Sequence, residues 1–182
     1  EVVGERSSQR MLTLTFEDGD NINDLEAKGY PQETRNHIGL NLWSMMLDQL
    51  FDLRSIHADP NPANFAFRRD GKIVMYDFGC VKKLSDELIE DYSDTIYAGL
   101  IEDYDAVHLG LHRLGVLRSG GPRVENEYYK RWRDLFYLPF AEHEEFDYAT
   151  ATVHDDVVKM IPGAMKRMAS FGMPVDLVFI DR

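Results

Sequence analysis

At 182 residues and 44% apolar, the chain is long enough for one domain with a substantial core, and apolar runs of at most four or five residues exclude a transmembrane helix. A net charge of −12 argues against nucleic acid or an anionic bilayer as a partner for the whole surface. The single cysteine, Cys80, excludes an internal disulfide and suits a reducing compartment, cytoplasmic or peripheral to a membrane.

In chain order, residues 11–16 alternate and branch enough to predict a strand, ended by the turn signal Glu17-Asp18-Gly19-Asp20. Asn23 or Asp24 is expected to cap a short helix that Gly29-Tyr30-Pro31 ends. Residues 32–53 then carry Ile38, Leu42, Met45 or Met46, Gln49 and Leu50, and Leu53 near helical spacing. This predicts a long amphipathic helix, with Trp43 and the methionines as core filler.

The most informative stretch follows. His57-Ala58-Asp59-Pro60-Asn61-Pro62-Ala63-Asn64 has the form H-x-D-x-x-x-x-N, and Asp77-Phe78-Gly79 comes shortly after. In a kinase-like catalytic loop, the carboxylate at Asp59 accepts or orients a hydroxyl proton. Asn64 offers an amide oxygen and Asp77 a carboxylate to a magnesium ion held between nucleotide phosphates. His57 is expected to brace the loop, and Phe78 to pack so that it sets the orientation of Asp77. Residues 65–76 read strand, turn, strand, so a hairpin returns the chain beside its start and lets Asn64 and Asp77 face one metal.

Residues 53–83 hold six Lys/Arg (54, 68, 69, 72, 82, 83) against Asp59, Asp70 and Asp77, a local balance of +3 that leaves −15 elsewhere. Such a neighbourhood attracts a polyanionic nucleotide. Arg68, Arg69 and Lys72 are expected to solvate the hairpin tip, while Lys82 and Lys83 are better placed to contact phosphate or a partner. Cys80 is expected to be a small buried side chain.

Ser85-Asp86-Glu87-Leu88 carries the N-cap signature of a helix, and a second helix over 104–114 ends at Gly115. Only residues 80–84 separate Asp-Phe-Gly from helix, too few for the activation segment and Ala-Pro-Glu motif of a protein kinase. A small molecule, a lipid or ATP hydrolysis itself is therefore favoured over a protein substrate. Ser119-Gly120-Gly121-Pro122 marks an internal break. Beyond it, residues 125–138 predict a helix whose aromatic stripe (Tyr128, Tyr129, Trp132, Phe136, Tyr137) packs in the core. Glu142-His143-Glu144-Glu145 and His154-Asp155-Asp156 read as solvated charge runs, and residues 152–171 as a helix interrupted by Pro162-Gly163. His108 and His112, four apart, lack the nearby carboxylate that would suggest a metal site.

His-Ala-Asp-Pro, the second proline at 62 and Asp77-Phe78-Gly79-Cys80-Val81 together resemble the UbiB (AarF/ADCK) family of atypical kinases, whose loop usually reads HADPHPGN. Asn61 stands here for its histidine and Ala63 for its glycine; neither change removes Asp59, Asn64 or Asp77. The segment from Arg10 through Gly19 is similar to the family's hinge strand, and Leu114-Gly115-Val116 fits the helix pair after Asp-Phe-Gly. Pro174-Val175-Asp176-Leu177-Val178 with Arg182 is similar to its last helix. The resemblance covers residues 8–118 well, and 119–170 only in general character.

The resemblance implies an α+β, mostly α C-terminal lobe of a protein-kinase-like fold with hinge strand 1–19, catalytic core 20–118 and helical part 119–182. It implies ATP and Mg2+ as cofactors, with adenine met by backbone groups of Thr13, Leu14, Thr15, Phe16 and Glu17, and Asn64 and Asp77 on the metal. It implies a link to ubiquinone or other isoprenoid-lipid metabolism, and a mitochondrial or plastid address in a eukaryote. The family's KxGQ segment, a Gly- or Ala-rich loop and a Lys–Glu pair find no match ahead of residue 10. An N-lobe from elsewhere in the same protein is thus an expected partner. The alternatives are a catalytically inactive scaffold or lipid-binding domain, and a phosphotransferase of the aminoglycoside or choline kinase type, which Ala-Asp-Pro disfavours.

Overall fold

The computed structural model describes residues 1–59, 61–141, 146–148, 150–172, 174 and 177. The fold is mostly helical with two small antiparallel sheets. It divides into two compact units, Glu1–Lys83 and Leu84–Asp181.

In the first unit, helix α1 (Gln32–Leu47) runs into a π-turn, Asp48–Asp52, closed by Leu53 N–H donating to the Asp48 carbonyl at 2.8 Å. Ile38 and Leu50 are buried from this helical stretch, as its spacing predicts, but Leu53, expected on the same face, is exposed. Trp43 is not core filler: it is 43% exposed, and Met46 is exposed too, because only Leu42 and Met45 of this set reach the cluster of Leu25, Tyr30, Ile38, Phe65 and Phe67.

The strand predicted over 11–16 is reduced to isolated bridges, Val2 with Leu14 and Ser8 with Met11. Its partner segment is broken by a 3-10 turn, Gly4–Arg6, and the Ser7 hydroxyl takes the Thr13 N–H at 3.0 Å where a backbone carbonyl would. Met11, Leu12 and Phe16 stay exposed, Phe16 at 89%. The chain then docks on the hairpin: Asp20 and Phe67 exchange both backbone hydrogen bonds at 2.8 Å. Gly19 permits this approach, since a Cβ there would sit 2.8 Å from the Ala66 Cβ. The Asp20 carboxylate binds Lys28 and the Tyr30 hydroxyl, which hold it below the usual carboxylate range. The short helix predicted next is a 3-10 turn, Ile22–Asp24, capped by Asn21 rather than by Asn23 or Asp24.

Strands β1 (Ser55–His57), β2 (Phe65–Phe67), β3 (Ile73–Met75) and β4 (Val81–Lys83) form nested hairpins. β2 pairs with β3 (Phe65 opposite Met75) inside the pair β1–β4 (His57 opposite Val81). Gly71, at φ +83°, turns the inner hairpin. Its basic tip, expected only to meet solvent, does more than that. Arg68 pairs with Glu17 at 3.0 Å, and Arg69 donates to the Lys28 carbonyl while stacking over the Tyr30 ring.

In the second unit, Ser85 caps α2 (Asp86–Leu100) by accepting from Leu88 N–H at 3.2 Å, as its motif predicts. α3 (Tyr104–Arg113) ends at Gly115, φ +73°. α4 (Asn126–Ala141) buries Tyr128 and Tyr129, with Trp132 packed beside them, but Phe136 is 59% exposed. The aromatic stripe is therefore core only in its first half. α5 (Val153–Lys166) contains Pro162. Asp156 is paired with Lys159 at 2.7 Å and bonded by the Thr152 hydroxyl, in line with a solvated charge run. Glu142-His143-Glu144-Glu145 and most of the terminal segment after residue 172 lie outside the described residues. Among the described residues no helix is long and apolar enough to cross a membrane.

One titration in this unit carries a prediction. His108 shares a hydrogen bond with the Tyr129 hydroxyl at 2.7 Å and lies edge-on to His112 at 4.8 Å. Burial, then the neighbouring His112 and Arg123, push the His108 imidazole below its ordinary 6.5, with Asp105 opposing. The unfolded chain therefore binds the proton more readily than the folded one, so stability is full above about pH 6.5 and falls as pH drops through this range. Carboxylates such as Asp20 and Asp134, held below 3.8, act only at lower pH. Thermal denaturation between pH 7.5 and 5 should show Tm declining, and His108→Asn should flatten that decline.

Candidate functional site

The nested hairpins bring two loops of the first unit opposite each other. The outer pair β1–β4 is continued by Ala58 N–H to the Cys80 carbonyl, and the inner pair β2–β3 by Tyr76 N–H to the Asn64 carbonyl, at 2.8 and 2.9 Å. What remains between is the segment holding Asp59 and Asn61 on one side and Asp77, Phe78 and Gly79 on the other. Two stretches 18 residues apart thus meet for a topological reason, not a local one.

His57 joins them. Its Nε2 lies 2.5 Å from the Asp77 carbonyl, and its Nδ1 accepts from Asp59 N–H at 3.2 Å. A carbonyl can only accept and an amide N–H only donate, so this pattern selects the neutral Nε2–H tautomer. The ring also packs against Phe65, centroids 5.6 Å apart. These contacts set the imidazole between the two loops.

Asn64 Nδ2 donates to the Asp59 carbonyl at 3.1 Å and more weakly to Asp59 Oδ2 at 3.4 Å. With its nitrogen so engaged, the amide of Asn64 leaves Oδ1 for another partner. Asn61 does not occupy the site. Its Oδ1 accepts from Ala63 N–H at 3.0 Å and caps the 3-10 turn Pro62–Asn64, and its carbonyl receives Asn64 N–H at 2.8 Å. Asn61 therefore shapes the turn that presents Asn64.

Asp77 Oδ1 accepts from Gly79 N–H at 2.7 Å. This local bond, and not Phe78, orients the carboxylate: Phe78 is 62% exposed, contrary to the packing expected of it. Cys80 is exposed as well, contrary to the burial expected of it. Asp77 and Asn64 together supply hard oxygen donors, one of them anionic, which fits Mg2+. Among the described residues no group of three or more His, Cys, Asp or Glu gathers to hold a metal, so an ion here would complete its shell with water and phosphate oxygens.

The expected adenine-facing residues divide. Around the Val2–Leu14 bridge, Val3 N–H bonds to Thr13 O and Thr15 N–H to Glu1 O, both at 2.8 Å. In an antiparallel pair of this kind the intervening residue turns its own N–H and C=O to the other edge, so Leu14 is the position with outward backbone groups. Glu17 is instead a tie: its carbonyl accepts from the Tyr76 hydroxyl at 3.0 Å and its carboxylate pairs with Arg68. Tyr76 directly precedes Asp77, so this bond links Glu17 to the Asp-Phe-Gly segment. Sequence reasoning gave no site role to Tyr76, or to Gln49, which it placed only on the helix face and whose Oε1 accepts from His57 N–H at 2.7 Å. A cavity of about 260 Å3 lined by Ile22, Leu25, Arg35, Ile38 and Leu42 contains none of the expected site residues.

The model of the ABC1 atypical kinase-like domain family matches residues 1–109. The chain is similar to the mitochondrial atypical kinase COQ8B of Danio rerio, 27% identical over 166 residues that cover 89% of this chain and 26% of that one. It is also similar to the probable serine/threonine-protein kinase abkA of Dictyostelium discoideum, 31% identical over 127 residues, or 69% and 22% of the two chains. The chain thus spans about a quarter of the length of these curated relatives. Among solved structures, Rv3197 of Mycobacterium tuberculosis, determined with erythromycin, aligns with a TM-score of 0.62 at 18% identity. That alignment covers 97% of this chain and 50% of the other, and it shows the shared fold.

Proposed function

The chain belongs to the ABC1 atypical kinase-like domain family, and from that premise we propose that it forms the catalytic-lobe side of a magnesium-dependent ATP site. The reaction is ATP hydrolysis or phosphoryl transfer to a small molecule, linked to isoprenoid-lipid metabolism, in an organelle where the organism has one. The observation that carries this reading is the hydrogen-bonded unit of His57, Asp59, Asn64 and Asp77. Family membership implies nucleotide binding in general; the assignment of roles is ours.

In this reading Asn64 Oδ1 and Asp77 would hold the metal ion, which would supply charge neutralisation to the nucleotide phosphates. Asp59 orients the attacking water or hydroxyl and takes its proton as the bond to the γ-phosphorus forms and the bond to the ADP oxygen breaks. Its carboxylate is exposed and, among the described residues, is bonded by Asn64, so it is open to such a group. His57 keeps Asp59 and Asp77 in one frame, and Leu14 offers backbone groups to adenine.

The test is magnesium-dependent ATP binding by calorimetry on the full-length gene product, with Asp77→Ala beside it. Binding should weaken at least about tenfold in the variant, 1.4 kcal/mol or more. Equal affinity with and without Asp77, or binding indifferent to magnesium, would overturn the assignment and favour the non-catalytic scaffold.

A further inference from the structure

We propose that Gln49 is a positioning residue of this site, acting through His57; the inference deepens the reading above and rests on it. The π-turn Asp48–Asp52 at the end of α1 lies between the long helix and β1. Such turns inside helical stretches add a residue to the turn and redirect side chains, and they concentrate at functional sites. Here the redirected side chain is Gln49, whose Oε1 accepts the His57 backbone N–H at 2.7 Å.

The bond matters because of what else His57 does. Three contacts converge on this one residue: its backbone N–H on Gln49, its Nδ1 under the Asp59 N–H, and its Nε2 against the Asp77 carbonyl. The backbone anchor fixes where the imidazole starts, and the two ring bonds fix where the Asp59 and Asp77 backbones end. Without Gln49 the His57 N–H has lost its acceptor, and a shift at the His57 backbone moves both carboxylate-bearing loops together. Because the partner is an N–H, only an acceptor serves at position 49, which sets a chemical requirement beyond size. Gln49 touches no reacting atom in this arrangement; it governs the geometry of groups that would. Site geometry must hold to within about half an ångström, so loss of such an anchor is felt at the ligand.

The experiment uses the full-length gene product with Gln49→Met, similar in size but without a strong acceptor, and Gln49→Glu, which keeps one. Two readouts are taken: magnesium-dependent ATP affinity, and the ring 15N shifts of His57, assigned with His57→Gln. Gln49→Met should weaken ATP binding about tenfold and turn the Nε2–H signature of His57 into a tautomer mixture. Gln49→Glu should restore both to within about twofold of the parent. A Gln49→Met protein with parental affinity and an unchanged tautomer overturns the proposal, as does a parent in the Nδ1–H form. If neither the parent nor Asp77→Ala binds nucleotide, the functional reading falls by itself, and the tautomer comparison alone decides the role of Gln49. Should Gln49→Met not fold, Gln49→Asn, too short to span to His57 N–H, is judged by the same two readouts.

Discussion

Replacing Asp59 by Asn should lower kcat of the full-length gene product by about 10²- to 10⁴-fold while leaving ATP affinity within about threefold. The substitution is nearly isosteric, and an amide oxygen can still accept the weak bond from Asn64 Nδ2 that Asp59 Oδ2 accepts now. The Asp59 backbone, held by His57 Nδ1, is untouched. What disappears is the anionic oxygen able to take a proton. A loose phosphoryl-transfer transition state asks little of a base, which places the effect toward the lower end of that range. Steady-state ATP turnover with calorimetry on the same samples checks it. Unchanged turnover in Asp59→Asn, alongside lost binding in Asp77→Ala, would leave the nucleotide site standing and remove Asp59 from the chemistry.

Gly110→Ala should destabilise the helical unit by about 1–3 kcal/mol despite the better helix propensity of alanine. α2 and α3 pack closely at this point. A Cβ on Gly110 would lie 2.0 Å from Thr95 Oγ1, 3.0 Å from its Cβ and 3.2 Å from its Cγ2. The threonine cannot simply rotate away, because its Cβ is itself too near, and its hydroxyl is tied to the Asp91 carbonyl at 2.6 Å. The helices must part or Thr95 must shift with its backbone. Thr95→Ala removes two of the three clashing atoms, so the double variant should recover much of the loss. Urea denaturation of the four proteins of this cycle measures the coupling, expected between about 0.5 and 3 kcal/mol. Parental stability in Gly110→Ala alone would refute the close approach.

The legible parts of the fold share a physical character. Ser85 caps α2, Gly115 ends α3 and the β2–β3 hairpin closes around Gly71 because each depends on residues a few positions apart. The offset from Asp59 to Asn64 belongs to the same class, set by one short turn that Asn61 caps. Where the sequence reading failed, the deciding partner was remote. The expected strand over 11–16 has the right alternation, yet a partner interrupted at Gly4–Arg6 leaves it only bridges. Trp43 and Phe136 sit on apolar helix faces that are wider than the cores they meet, so both remain exposed. The reading that Phe78 aims Asp77 fails because the Gly79 N–H, two residues on, binds the Asp77 carboxylate instead.

By itself the sequence determined the local chemistry: which oxygen donors exist, their spacing, the turns that present them and the helices that follow. Those features arise from sterics and hydrogen bonds within four or five residues, which any reader of the chain can count. Only the tertiary structure decided how they meet. The nesting of β2–β3 inside β1–β4 brings Asp59 opposite Asp77, the π-turn delivers Gln49 to His57, and the Tyr76 hydroxyl ties Glu17 to the Asp-Phe-Gly segment. Each of these joins residues whose separation in sequence carries no periodic signal. They are chosen by which backbone donors and acceptors are left over once the local elements have formed.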